Sequence, residues 1–173
     1  SSLVVDSWYK KSLWLYLLFP FSAVISYLTS RRRRKFLKDT KNRFKSKIPL
    51  IVVGNLTIGG TGKTPLVKYI ASELQKLGYK PGLVSRGYGG KFKETLMVTD
   101  QTPVKQTGDE AQILSTLNLP FYIDKNRVRA LKALNDNHDC DIIISDDGLQ
   151  HYQMNRDIEI IVIDGKRLSL IHI

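Results

Sequence analysis

A chain of 173 residues, 42% of them apolar, is long enough for one α/β domain with a sizeable core. Its single cysteine, Cys140, excludes an intramolecular disulfide framework and suits a reducing compartment, and no His/Cys cluster has zinc-ligand spacing. The net charge of +11 is concentrated: residues 1–47 carry twelve Lys/Arg against two Asp, while residues 48–173 carry fifteen against fourteen Asp/Glu, which argues against a basic nucleic-acid groove across the fold.

The first segment holds Trp8, Trp14 and Tyr16 around an apolar stretch from Leu13 to Leu28, and Arg31-Arg32-Arg33-Arg34-Lys35 follows. The stretch is short for a spanning helix, which needs about 20 apolar residues, and Pro20 would kink or split it. Apolar and aromatic residues beside a polybasic cluster suit an interfacial anchor on an anionic leaflet. A helix packed on the protein's own core competes with that reading. So does a single span with the arginines on the cytoplasmic side. A cleaved signal peptide is disfavoured, because the strong charge lies after the apolar run. Lys38 to Lys47 reads as a basic linker or helix end, which closes a membrane-associating segment over residues 1–47 and leaves 48–173 as the second domain.

A strand is expected from Pro49 to Gly54 and a helix from Lys63 to Leu77, stopped by Gly78. Between them stands Thr57-Ile58-Gly59-Gly60-Thr61-Gly62-Lys63-Thr64. Strand, glycine-rich turn and helix start make a phosphate cradle. Glycines let backbone N–H groups converge on phosphate oxygens, and the helix N-terminus adds partial positive charge. Lys63 can reach β- and γ-phosphates, and the Thr64 hydroxyl can ligate Mg²⁺. The first glycine of the G-x-x-x-x-G-K-[ST] pattern is replaced by Thr57, and Gly59-Gly60 supplies the turn.

Pro81 to Ser85 reads as a second strand, and Arg86-Gly87-Tyr88-Gly89-Gly90 as either a loop near the ligand or a plain surface turn. Leu96 to Val98 is a short strand. Thr107-Gly108-Asp109-Glu110 precedes a helix from Ala111 to Leu117, where the acids alone suit the helix dipole. Pro120 to Ile123 is a strand and Lys125 to Asn135 a helix, with Arg127 near its start as an exposed arginine or a phosphate contact. The run from Cys140 to Gly148 is an apolar strand ending in Asp146-Asp147, the form of a Walker B element, and either acid can hold Mg²⁺. His151 stands beside these acids. Cys140, at the start of the run, reads as a buried structural thiol. A last strand covers Ile158 to Asp164. Alternating strands and helices indicate an α/β, P-loop NTPase-type, mostly parallel sheet with helices on both faces, preceded by a hydrophobic and basic N-terminal helix.

Together these motifs resemble the tetraacyldisaccharide 4′-kinase family, the lipid A 4′-kinases of Gram-negative bacteria. The resemblance rests on Val53 to Pro65, Ser85 to Gly89, Gly108-Asp109-Glu110 and Ser145 to Tyr152, in that order. It implies transfer of the γ-phosphoryl of ATP to the 4′-hydroxyl of an acylated glucosamine disaccharide 1-phosphate, giving lipid IVA, on the cytoplasmic face of the bacterial inner membrane. It also implies a phosphate loop over Thr57 to Thr64, Lys63 among the catalytic residues, a catalytic base at Asp109 and a phosphate-contacting arginine at Arg127. Metal-holding acids fall at Asp146 and Asp147, with Gln150 and His151 beside them. Family chains continue past this point, the match decays after Gly165, and the chain begins Ser1-Ser2 without Met. It therefore reads as C-terminally truncated and as partial at both ends.

Two other functions compete. One is a membrane-attached P-loop ATPase or GTPase switch resembling the MinD/ParA group, which carries a lysine where Ile58 stands and lacks the Asp-Asp-Gly-Leu-Gln-His string. The other is an inactive nucleotide-binding fragment.

Overall fold

The computed structural model describes Val24, residues 26–28, Ser30, Arg31, Arg34, and residues 44–55, 62–151 and 153–163. The chain divides into two compact units, residues 1–41 and 42–173. The described residues of the first unit are helical and exposed. Among the described residues no helix is long and apolar enough to cross a membrane. The sequence readings that rest on Trp8, Trp14, Tyr16 and Pro20 lie outside the described residues.

In the second unit the elements are β1 (Phe44–Lys45), β2 (Leu50–Asn55), α1 (Lys63–Lys76), β3 (Pro81–Ser85), β4 (Leu96–Met97), α2 (Val104–Thr107), α3 (Asp109–Ser115), β5 (Phe121–Ile123), α4 (Arg127–Asn137), β6 (Ile142–Asp146), β7 (Met154–Asn155) and β8 (Ile158–Val162). The six-stranded sheet has the order β4-β5-β3-β6-β2-β8. Every neighbouring pair in it is parallel except β4 with β5. β1 pairs in parallel with β7, Phe44 opposite Met154. Residues 44–45 therefore belong to a small second sheet and not to the linker expected from their charge. The one-turn helix α2 and strand β7 were also not expected.

Successive residues of a strand point to opposite faces, and here both faces are apolar. Ile51, Val53, Leu83, Phe121, Ile123 and Ile144 join Val67 and Ala71 of α1 and Ala111 and Leu114 of α3 in one core. Leu50, Val52, Val84, Tyr122 and Ile143 join Ala130, Leu131 and Leu134 of α4 in the other. Helices thus cover both faces, as the alternation of elements required. Cys140 is buried in the second core, an inert packing thiol.

Two of the covering helices, α1 and α4, carry their start signals in sequence. Gly62 precedes α1 in the left-handed region at φ 81, and Thr64, Val67 and Ala71 recur at helical spacing on the buried side. Asn126 caps α4, its side chain accepting from the N–H groups of Val128 and Arg129. Helix α1 therefore begins just beyond the carboxyl end of β2, and α4 just beyond that of β5. Parallel order brings those ends to one edge of the sheet, where open α/β sheets bind ligands.

Candidate active site

At that edge, β2 and β6 lie side by side with Val53 opposite Asp146. Lys63, the first residue of α1, turns back over the gap. Its Nζ donates to Asn55 Oδ1 at 3.0 Å and to Asp147 Oδ1 at 2.7 Å. Asp147 adopts φ 54, a left-handed conformation that Asp tolerates better than most residues, and the turn directs its carboxylate to the lysine. Asp147 is half exposed whereas Lys63 is mostly covered. Thr64 follows, buried at the helix start.

Asp146 behaves differently from its neighbour. It is 2% exposed, and its Oδ1 has no hydrogen-bond partner. Burial, and then the nearby Glu110 carboxylate, pushes its carboxyl up to about 6, against the pull of Lys63 and Arg127. A buried carboxylate oxygen without a partner suits a hard divalent cation that keeps waters and phosphate oxygens as its other ligands. Among the described residues no group of three or more His, Cys, Asp or Glu could hold a metal ion. A Mg²⁺ ion shared with phosphates needs only one or two carboxylates.

Arg127 is the largest fully buried side chain among the described residues. Its exposed alternative is thereby overturned: the first turn of α4 is packed against the ends of β5 and β6, so the guanidinium points inward. NH1 donates to the Asp124 carbonyl at 2.7 Å, NH2 reaches the Asp146 carbonyl at 3.4 Å, and Nε has no partner. Burial pushes the guanidinium down to about 10, partly offset by Asp147 and Asp146. It stays charged at neutral pH. His151 is half-buried and pushed down to about 4 by burial and then by Arg127 and Arg86, so it is neutral at pH 7. Gln150 is exposed on the turn before it.

Asp109 opens α3 beside Glu110 and is exposed. Both acids line a hollow of about 420 Å³ with Tyr88, Gly89, Val104, Lys105 and Gly108. The glycines hold this hollow together. A Cβ on Gly108, at φ 82, would strike the Tyr88 carbonyl, and one on Gly90 would strike the Gln106 carbonyl. The Arg86–Gly90 segment therefore packs backbone to backbone against the α2–α3 junction, and Tyr88 stands over the same hollow as Asp109. Thr57, Ile58, Gly59, Gly60 and Thr61 lie outside the described residues.

Sequence reasoning missed several groups here. Asn55 sits at a strand end with no mark of its own, and only the return of Lys63 gives it a role. The influence of Glu110 on Asp146 crosses from α3 to β6. Asp124 carries no motif, yet its buried carboxylate accepts from the Asn126 N–H at 2.7 Å, from Thr95 Oγ1, and from Arg129 at 2.9 Å on both oxygens. Burial alone would raise that carboxyl, but Arg129, Thr95 and the Asn126 N–H outweigh it and hold it below the usual range.

The family model described as LpxK, tetraacyldisaccharide-1-P 4′-kinase, matches residues 14–171. A tetraacyldisaccharide 4′-kinase of Shewanella loihica is 46% identical over 172 residues, covering 96% of this chain and 51% of that protein. One of Psychromonas ingrahamii is 44% identical over 162 residues, covering 92% and 51%. A crystal structure of LpxK from Aquifex aeolicus in complex with ATP superposes with a TM-score of 0.80 at 29% identity, covering 89% of this chain and 50% of that one. The chain spans about half the length of the curated relatives it matches.

Proposed function

The chain belongs to the tetraacyldisaccharide-1-P 4′-kinase family, and on that premise we propose that it carries the nucleotide half of an ATP-dependent lipid kinase. The reaction moves the γ-phosphoryl of ATP to the 4′-hydroxyl of a tetraacylated glucosamine disaccharide 1-phosphate, giving lipid IVA. The observation that carries this reading is the meeting of Lys63, Asp146, Asp147 and Arg127 at one carboxyl edge of a parallel sheet. Phosphoryl transfer needs positioning and charge neutralisation more than covalent chemistry, and these residues supply both.

Lys63 leaves Asp147 for the β- and γ-phosphates. Thr64, Asp146 and Asp147 are the residues that would hold Mg²⁺, which when bound neutralises charge on the same oxygens. Arg127 presents its unused donors to a phosphate, and Gln150 and His151 border the same edge. Asp109, exposed in the hollow under Tyr88, orients the acceptor hydroxyl and takes its proton. The basic N-terminal segment holds the protein at the anionic cytoplasmic face of the inner membrane, where an acylated substrate lies. A MinD/ParA-type switch is not favoured, because the family that matches is a kinase family.

The test is transfer of labelled γ-phosphate from ATP to the tetraacylated disaccharide 1-phosphate in mixed micelles, with nucleotide binding measured in parallel. Asp109→Ala is expected to cut transfer by about a thousandfold and spare ATP binding. Transfer by the variant at the normal rate sinks the base assignment. ATP binding with no transfer by the unaltered chain means that the fragment binds nucleotide and the acceptor chemistry needs residues outside it. Deleting residues 1–35 is expected to move the protein off anionic vesicles, and unchanged partition would refute the anchor.

A further inference from the structure

The turn from β5 into α4 is held by more than its own hydrogen bonds. Asp124 follows the last residue of β5, and its side chain is 2% exposed. A carboxylate so deeply buried is costly unless its oxygens are taken up, and here they are. Oδ1 accepts from the Asn126 N–H and from Arg129 NH2; Oδ2 accepts from Arg129 Nε and Thr95 Oγ1. Thr95 directly precedes β4, whose Leu96 pairs with Ile123 at the end of β5. The clamp therefore ties three pieces of chain together: the edge strand, the turn and the second residue after the start of α4.

The guanidinium of Arg127 hangs from the same residue by a different group. Its NH1 donates to the Asp124 backbone carbonyl, not to the carboxylate. The negative charge of Asp124 is matched by Arg129, which lies 55% exposed on the outer side of the turn. This division has a chemical consequence. Were Asp124 the ion-pair partner of Arg127, the arginine's charge would be neutralised before any ligand arrived. Instead one oxygen of the main chain fixes where the guanidinium lies; the pull of the Asp124 charge on it is weaker than those of Asp147 and Asp146, and its buried Nε has no hydrogen-bond partner. Arginine recognises phosphate through a rigid planar fork, so a displacement of the carbonyl misaligns the fork even when the charge is kept.

We propose that Asp124 is a positioning residue for phosphate recognition: its carboxylate, clamped by Arg129, Thr95 and the Asn126 N–H, holds its own carbonyl where that carbonyl aims the Arg127 guanidinium at the nucleotide phosphates. The inference rests on the reading of Arg127 as a phosphate contact given under Proposed function. Arg129 serves it from outside, as the counter-charge that frees Arg127 from that role.

A double-mutant cycle on this chain tests it, read as binding of a fluorescent ATP analogue in the presence of Mg²⁺, with urea unfolding of each variant as the control for folding. Asp124→Asn keeps the size of the side chain but removes the charge that grips Arg129. It is expected to weaken binding about tenfold. In the Arg127→Ala background the same substitution should change binding by less than about twofold, because its effect passes through a side chain no longer present. Thr95→Val removes one donor and leaves no charge unpaired, so it decides the matter if Asp124→Asn does not fold. Its expected loss is about threefold, again absent without Arg127. Losses that add to that of Arg127→Ala, or an Asp124→Asn protein that binds like the parent, overturn the positioning role alone. If Arg127→Ala binds ATP as tightly as the parent, or the parent binds none, the phosphate reading of Arg127 falls and this inference falls with it.

Discussion

The two ends of the parallel sheet use the same residue type for opposite purposes. At the amino ends, aspartates are closed into the backbone. Asp157 Oδ2 accepts from the Leu50 N–H at 2.8 Å at the start of β2, and Asp141 Oδ2 accepts from the Lys80 N–H at 2.9 Å just before β3. At the carboxyl end of β6, Asp147 is paired with a lysine that can leave, and Asp146 keeps a buried oxygen without a partner among the described residues. Among the described residues the three buried side-chain atoms lacking partners are Arg127 Nε, Ser145 Oγ and Asp146 Oδ1, and all belong to this end. Where an aspartate's oxygens are taken up, as at Asp157, Asp141 and Asp124, it fixes the chain around it. Where they are left open at a cost in stability, it is available for a ligand.

That contrast can be broken most sharply at Lys63. Lys63→Ala removes the ammonium that sits between Asn55 and Asp147, and ATP binding is expected to fall about a hundredfold while the urea midpoint barely moves. A large drop in stability with binding intact would mean that the lysine is a structural tie. Next comes the other end. Asp157→Ala leaves the Leu50 N–H without its acceptor, and unfolding in urea is expected to show a loss of about 1–3 kcal/mol with ATP affinity unchanged. Lost affinity at constant stability would erase the distinction between the two ends.

The smallest effect sharpens the contrast through pH. The folded value of Asp146, about 6, lies above its ordinary 3.8, so the folded chain holds this proton more tightly than the unfolded one. Its contribution therefore gains stability as pH falls from about 6 towards 4 and costs stability above 6. His151 works in the other direction. Its folded value of about 4 lies below 6.5, so its contribution is lost as pH falls through that interval. The two slopes oppose each other in the parent. Asp146→Asn removes the first, so the nucleotide-free variant is expected to melt several degrees higher at pH 7.5, to lose stability more steeply below pH 6.5, and to bind ATP with little help from Mg²⁺. A variant that melts lower at pH 7.5 would show that Asp146 is a structural acid after all.

Much of this was legible beforehand because its causes are local. Gly62, Gly78 and the apolar runs at Leu50, Pro81 and Ile142 each act within a few residues, and the observed helix α1 and strand β3 follow the expected spans closely. Asp146-Asp147 stood out because an apolar strand ending in acids has few structural uses. The failures share a different cause. Phe44–Lys45 and Met154–Asn155 are two residues each, too short to show a period, and they exist as strands only because the fold sets them side by side. Arg127 reads in sequence like any helical arginine, since burial of a charge depends on what the other strands bring to it.

Sequence alone determined the alternation of strand and helix, the phosphate-loop motif with its lysine and threonine, and the family to which the chain belongs. These rest on backbone preferences and on residues close together in the chain. Tertiary structure alone decided the strand order β4-β5-β3-β6-β2-β8 and the division of labour between Asp146 and Asp147. It also gave Asp124 and its clamp a bearing on Arg127. The physical reason is the same in each case. Burial, the sharing of hydrogen bonds and the shift of a proton's affinity depend on neighbours that parallel pairing brings in from distant parts of the chain, as Lys63 meets Asp147 across 84 positions.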